Sequence, residues 1–382
     1  MSATACCVVL LVATMSAQSQ PVLEGELSTA IDQLGDFDYD VRTRASRLIR
    51  RQPFEQIEPL LAAAVAGHVD GYVRFRALVL LTGFGKAAVD DVVRGVMSDP
   101  NDRLRTVAYG YLAHNPDPAL IERLLAALDT EMSEFVRPAL IRALASQGST
   151  PTVRRRLVAD IDRGVDFFRG AVIEALGDYG ANYAVESLMR VAGESGPLQD
   201  DALLALAKIR DRRSLPLLAS LQGQSADLEP LVSGVASALG VDRQAHMRFM
   251  ADTLAFAAAA EDQADLVSAA AAALGAVASV GGIDALDALF DVGMGAPNAV
   301  REQIALVLAS FAMRQPSALL SYLETRTDLD EAVLVIRDGF DMLDEDFEEE
   351  RFFMIARVLF WTNSDGSRAR AVAATLIEML DF

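Results

Sequence analysis

Apolar side chains recur along this chain at offsets of four and eight residues, the period of a helix face rather than of a strand. Val41, Ala45 and Ile49 form one such stripe, and Val73, Ala77 and Leu81 the next. Leu104, Ala108 and Leu112, then Val136, Leu140 and Leu144, then Phe168, Val172 and Leu176 continue the series. Three residues before the first apolar position stand Asp38, Asp70, Asn101 and Ser133, side chains suited to capping the free N–H groups of a helix start. Val165 breaks this rule in the fifth unit. Twelve residues after it stand Pro53, Gly85, Pro116, Gly148 and Gly180, which end helices. The pattern predicts a capped helix of about three turns in each unit.

The first apolar position is followed each time by arginine: Arg42, Arg74, Arg105, Arg137 and Arg169, at spacings of 32, 31, 32 and 32 residues. Second stripes lie between these helices, such as Ile57-Leu60-Leu61-Val65 and Ile121-Leu124-Leu125-Leu128. One helical hairpin cannot bury both of its stripes, but a stack of hairpins can. Beyond residue 190 the arginines fade while the period persists, with weaker anchors at Leu198, Leu231 and Leu266 and a return at Val300-Arg301. The count is about ten hairpins, a stack of ~80–100 Å at the usual helix spacing. From 344 to 382 the chain changes character. Asp341 to Glu350 holds seven acidic residues, followed by Phe352-Phe353-Met354-Ile355 and the only tryptophan, Trp361. Terminal repeats are usually atypical, so this segment is expected to cap the stack; the alternative is a docking surface.

The D-x-x-V-R-x-x-A core, in Asp38 to Ala45 and Asp70 to Ala77, resembles the short HEAT-like repeat of the bilin-lyase type. The resemblance covers most of residues 25–315 and is strongest over 25–190. It implies an all-α fold, an α-solenoid wound as a right-handed superhelix, with the second helices lining the concave surface. Members of that family serve as scaffolds, adaptors, chromophore-lyase subunits and appendages of enzymes. The expectation for this chain is a non-enzymatic scaffold that binds a protein partner through its concave helix face. The alternative is an accessory or lyase-like subunit acting on a cofactor or a modified protein.

Charge narrows the partners. The formal net charge is -20. Residues 1–191 hold 20 basic and 24 acidic side chains, and residues 192–382 hold 14 and 30. Phosphate binding needs a positive surface, so nucleic acid is not expected as a partner. The nine-residue apolar run Ala5 to Ala13, followed by Ala17-Gln18-Ser19, reads as a signal peptide over 1–19. The mature chain, 20–382, is then periplasmic or secreted; without cleavage it stays cytoplasmic. Cys6 and Cys7, the only cysteines, lie in that segment, so the mature chain offers no disulfide, zinc site or thiol nucleophile. No later run is long and apolar enough to span a bilayer, and the Ala-rich stretch 251–280 is interrupted by Asp252, Glu261, Asp262 and Asp265.

Catalytic patterns are not found. His68, His114 and His246 stand in different repeats without metal-ligand spacing and read as loop or surface residues. Gly83-Phe84-Gly85-Lys86 lacks the Ser/Thr and the preceding strand of a phosphate loop. Pairs such as Asp200-Asp201 are expected on a surface this acidic. No catalytic, cofactor or metal site is therefore assigned. The arginine column of Arg42, Arg74, Arg105, Arg137 and Arg169 is the one candidate site. It either fixes the register of the repeats by pairing with turn carboxylates such as Asp38, Asp70 and Asp102, or grips an acidic peptide.

Overall fold

The computed structural model describes residues 24–84, 89–343 and 345–380. The segment read as a signal peptide, with Cys6 and Cys7, lies outside them, as do Gly85 and Lys86. Among the described residues there are 22 α-helices and no strand. The first six are α1 (Glu24–Gln33), α2 (Tyr39–Arg50), α3 (Phe54–Gly67), α4 (Gly71–Gly83), α5 (Val89–Val96) and α6 (Asp102–His114). Next come α7 (Ile121–Thr130), α8 (Arg137–Ala145), α9 (Pro151–Asp160), α10 (Asp166–Asp178), α11 (Val185–Gly193) and α12 (Gln199–Ile209). The stack continues with α13 (Leu215–Leu221), α14 (Leu228–Ala238), α15 (Arg243–Ala259), α16 (Ala264–Ser279), α17 (Ala285–Gly295) and α18 (Asn298–Arg314). It ends with α19 (Pro316–Leu323), α20 (Leu329–Leu343), α21 (Asp346–Thr362) and α22 (Arg368–Met379).

Of the arginine-marked helices α2, α4, α6, α8 and α10, the first three begin at a side-chain cap. Asp38 accepts from the N–H groups of Asp40 and Val41, Asp70 from that of Tyr72, and Asn101 from that of Arg103. Ser133 does not cap. Its helix, α8, starts at Arg137, and the Ser133 hydroxyl donates instead to Asp102, the first residue of α6, at 3.3 Å. The stripe residues point inward as the period requires: Ala77, Leu81, Leu140, Leu144, Val172 and Leu176 are fully buried. Gly180 takes φ +59, the left-handed turn a helix end needs, and the next N–H, of Ala181, returns to Leu176 O at 2.9 Å.

From α4 to α20 each even-numbered helix packs on the next even-numbered one, and the odd-numbered helices fill the other layer. The even-numbered layer is the concave one, since a cleft is lined by α6, α8, α10, α12, α16 and α18. This corrects the expectation that the second helices line the concave surface: the arginine-marked first helices do. Side-chain size explains the choice. The inside of a curve leaves less room, and the even-numbered helices carry small residues where they touch. A methyl at Gly177 would stand 2.7 Å from Ala205 Cα of the next inner helix. One at Gly339 of α20 would collide with the carbonyl oxygen of Ala305 in α18.

The C-terminal segment does more than close the end of the stack. α22 packs on α19 and α20 as a further layer, but α21 turns onto the concave side. There it touches α4 and α6 near the start of the array and α18 and α19 near its finish. Phe347 fills the space over Gly110, where an added methyl would stand 2.8 Å from the ring, and Glu350 lies over Gly83 in the same way at 2.7 Å. Phe352 is fully buried and meets Phe340 edge to face at 5.3 Å. The acidic run read from the sequence is therefore partly an inward face: Glu348 and Glu350 are both buried.

Candidate functional site

The concave side is divided by α21. On its N-terminal flank the inner surface is closed by paired charges. The Arg50 Nε–H donates to both carboxylate oxygens of Glu350, at 3.0 and 3.1 Å, across 300 residues of sequence, and the guanidinium lies 4.7 Å from the Phe353 ring. Arg76 pairs with Asp346. A buried charge needs such partners, because leaving water costs it several kcal/mol, roughly, per ion.

On the other flank lies a cleft of about 1110 Å³ between α6, α8, α10, α12, α16, α18 and α21. Its polar wall centres on Glu348. The imidazole of His114, the last residue of α6, donates from Nε2 to Glu348 at 2.9 Å. Arg314 stands 3.3 Å and Arg351 3.4 Å from the same carboxylate. Burial alone would raise the Glu348 carboxyl. The His114 hydrogen bond and charge outweigh burial, aided by Arg314 and Arg142, and hold it at about 2. His114 is thus a clamp residue and not the loop or surface histidine its sequence context suggests. His68 does sit in a loop, donating from Nε2 to Asp32 at 3.1 Å while its Nδ1 accepts from the Asp70 N–H.

Further along the wall Lys208 donates to Asp178 at 2.6 Å. Asp178 Oδ2 faces Arg314 Nε at 3.7 Å, beyond hydrogen-bond reach. Arg142 Nε, Arg314 Nε and Asp178 Oδ2 are buried without a hydrogen-bond partner. Asp201 lines the same cleft, its carboxyl pushed upward by burial first and by the neighbouring charges of Glu174 and Asp200. The apolar lining includes Phe167, 60% exposed, and Leu306. Sequence reasoning missed this cleft. Its wall is assembled from six inner helices and α21, and no stretch of the chain holds more than a few of its residues.

The arginine column lies elsewhere, and its guanidinium groups are engaged within the fold. Arg42 donates to the carbonyls of Asp36 and Phe37 at 2.7 and 3.1 Å. Arg74 donates to Val65 O at 2.8 Å and pairs with Asp99 at 2.5 Å. Arg105 forms a two-pronged pair with Glu131, both bonds 2.8 Å, and donates to Asp99 O at 2.7 Å. Arg137 donates to Glu131 O at 2.9 Å, and Arg169 to Ile161 O at 2.8 Å and Asp166 at 2.9 Å. Arg42, Arg105, Arg137 and Arg169 tie their own helices to the loops that lead into them, while Arg74 ties α4 to the end of α3; Arg74 and Arg105 also reach forward to the loop of the next unit. The carboxylates of Asp99, Glu131 and Asp166 serve where Asp38, Asp70 and Asp102 were expected.

The chain is an α-solenoid, its paired helices stacked in two layers. No protein-family model matches the sequence, and a search of curated proteins finds no match. Among solved structures, the karyopherin Kap121p aligns over 94% of this chain and 49% of its own, at 14% identity and a TM-score of 0.38. Kap121p bound to RanGTP gives 14% identity and a TM-score of 0.36 over the same shares. A structure from work on the cadherin and beta-catenin interaction covers 93% of this chain and 94% of its own, at 12% and 0.30. This chain spans about half the length of the Kap121p structures. Among the described residues, no three His, Cys, Asp or Glu side chains are grouped to hold a metal ion, and no single helix is long and apolar enough to cross a membrane.

Proposed function

We propose that this solenoid is a non-enzymatic scaffold, exported by its N-terminal signal, that binds a protein partner in the concave cleft beside α21. The observation that carries the reading is the lining of that cleft. Phe167 and Leu306 offer exposed apolar contacts, beside a polar wall of Arg142, Arg314 and Asp178. Its volume, 1110 Å³, exceeds the ~300–1,000 Å³ typical of small-molecule pockets and suits an inserted polypeptide segment. The ion pairs support a binding role over catalysis. A carboxylate held at about 2, as Glu348 is, makes a poor general base at neutral pH.

A photoreactive residue placed at Leu306 tests the reading against one placed at Phe256, exposed on the outer helix α15. Cells of the native host should give a discrete crosslinked protein adduct at position 306 and none at position 256. Equal labelling at both positions would remove the cleft as the interface. Export is tested separately: mass spectrometry of native protein should find a mature N-terminus near Gln18 or Gln20, and an intact Met1 terminus refutes it.

A further inference from the structure

The loops that lead into the arginine-marked helices form one continuous edge of the array. Side chains tie each loop to a helix of the preceding unit. His68 reaches Asp32 in α1, the Asn101 amide donates to the carbonyl of Gly71 at the start of α4 at 3.0 Å, and Ser133 donates to Asp102 at the start of α6 at 3.3 Å. The Arg103 guanidinium lies 5.6 Å from the Tyr72 ring, and that of Arg137 lies 5.1 Å from Phe168.

This edge is apolar at a fixed register. Phe37, Val69, Pro100 and Met132 each stand four residues before Val41, Val73, Leu104 and Val136. Phe37 and Val69 are fully exposed, Met132 and Phe135 are 85% and 83% exposed, and Val165 continues the line. Burying one such side chain is worth ~1.5–3 kcal/mol. A soluble surface tolerates single exposed apolar residues, but a row repeated along successive units marks a contact surface. Carboxylates fringe the row: Asp36, Asp38, Asp40, Asp70, Glu134 and Asp166 are all exposed. Of these only Asp166 pairs with a column arginine, Arg169; Arg74 and Arg105 pair with Asp99 and Glu131 instead, and Arg42 and Arg137 turn onto backbone carbonyls, so the rest of that charge stands.

From this we infer that the edge binds an extended cationic polypeptide segment, with an apolar side chain at about every third residue and lysine or arginine between. Charge complementarity sets the cationic part. Spacing sets the rest: neighbouring helices stand ~8–10 Å apart, and an extended chain advances ~3.3 Å per residue. The acidic fringe repels anionic lipid, which disfavours a membrane surface. The inference rests on the scaffold reading but places a second contact away from the cleft.

Fluorescence anisotropy with the full mature chain tests it. The probe is a labelled synthetic peptide of roughly twelve residues, with leucine at every third position and lysine or arginine elsewhere. Phe37→Ser combined with Phe135→Ser should weaken binding at least about tenfold, as expected for loss of apolar anchors. Leu306→Ser in the cleft should leave peptide binding unchanged. Binding should also slow hydrogen exchange over 36–40 and 131–136, which shows the edge engaged whatever the double variant does to folding. The inference is overturned by equal binding of the double variant, or of a peptide with its leucines clustered at one end. It is also overturned if the edge instead mediates self-association, or adsorbs to phosphatidylserine vesicles in place of the peptide. Crosslinking at position 306 with no peptide binding removes this inference alone; failure of both removes the scaffold reading too.

Discussion

At the residue scale, the concave side is an arrangement of paired charges, and the cluster around Glu348 carries a pH signature. Glu348 sits at about 2 in the folded chain against 4.5 for a free glutamate. A lowered carboxyl stabilises the fold fully above its unfolded value and ceases to do so as pH falls through the folded one. Glu348 therefore stabilises the chain above about pH 4.5, and its contribution disappears toward pH 2. Glu348→Gln should cost on the order of 3 kcal/mol at neutral pH, because it leaves Arg314 and His114 facing a neutral group. The difference from the parent chain, measured by urea unfolding, should shrink between pH 4.5 and 2. A pH-independent difference would show that the carboxylate charge is not what α21 relies on. Asp201 runs the other way. Its carboxyl is raised, by burial first, so ionising it at neutral pH opposes folding. Asp201→Asn should raise the urea midpoint at pH 7 and lose that advantage in acid. An unchanged midpoint at pH 7 would place Asp201 in free solvent.

At the scale of elements, the repeat was legible in the sequence because local chemistry writes it there. Caps at Asp38, Asp70 and Asn101 and a stripe of period 3.6 act within one helix, so spacing alone reveals them. Which layer faces inward was not legible. It depends on contacts between helices about 30 residues apart, such as Gly177 on Ala205, which the hydrophobic period does not encode. The small residues were the available signal, and they yield a paired prediction. Gly95, in outer helix α5, has open space where a Cβ would go, so Gly95→Ala should stabilise by ~0.5–1 kcal/mol through helix propensity. Gly339→Ala makes the same chemical change but drives a methyl into the Ala305 carbonyl, and should destabilise by at least ~1–3 kcal/mol. Thermal unfolding of the two variants should shift in opposite directions; a shared sign would mean that the α18–α20 contact is looser than described. The arginine column belongs to this scale as well. Arg105 meets Glu131 with two parallel bonds, a geometry lysine cannot copy, so Arg105→Lys should cost ~1 kcal/mol in the same assay.

For the whole molecule, α21 decides how the array behaves. A solenoid whose units touch only their neighbours unfolds as a one-dimensional chain, and one half can melt before the other. Here α21 joins α4 and α6 to α18 and α19, and the Arg50–Glu350 contact spans 300 residues. The sequence hid this link because the acids of 341–350 look like a solvated run. Nothing in their spacing names Arg50, Arg76 or His114 as partners, and the glycines that receive α21, Gly83 and Gly110, read as ordinary turn or helix residues. The link couples the arginine-marked half to the acidic half energetically. Trp361, the only tryptophan, lies on α21 and reports that helix, while far-UV circular dichroism reports the stack as a whole. In the parent chain the two urea transitions should therefore coincide. Phe347→Ala combined with Glu350→Ala removes the ring over Gly110 and the partner of Arg50. The tryptophan transition should then fall to lower urea and separate from the helical one, with most helicity surviving the first step. Separate transitions in the parent chain would show that α21 rests on the concave side without holding the ends together. Coincident transitions in the double variant would show that the halves communicate through the stack itself.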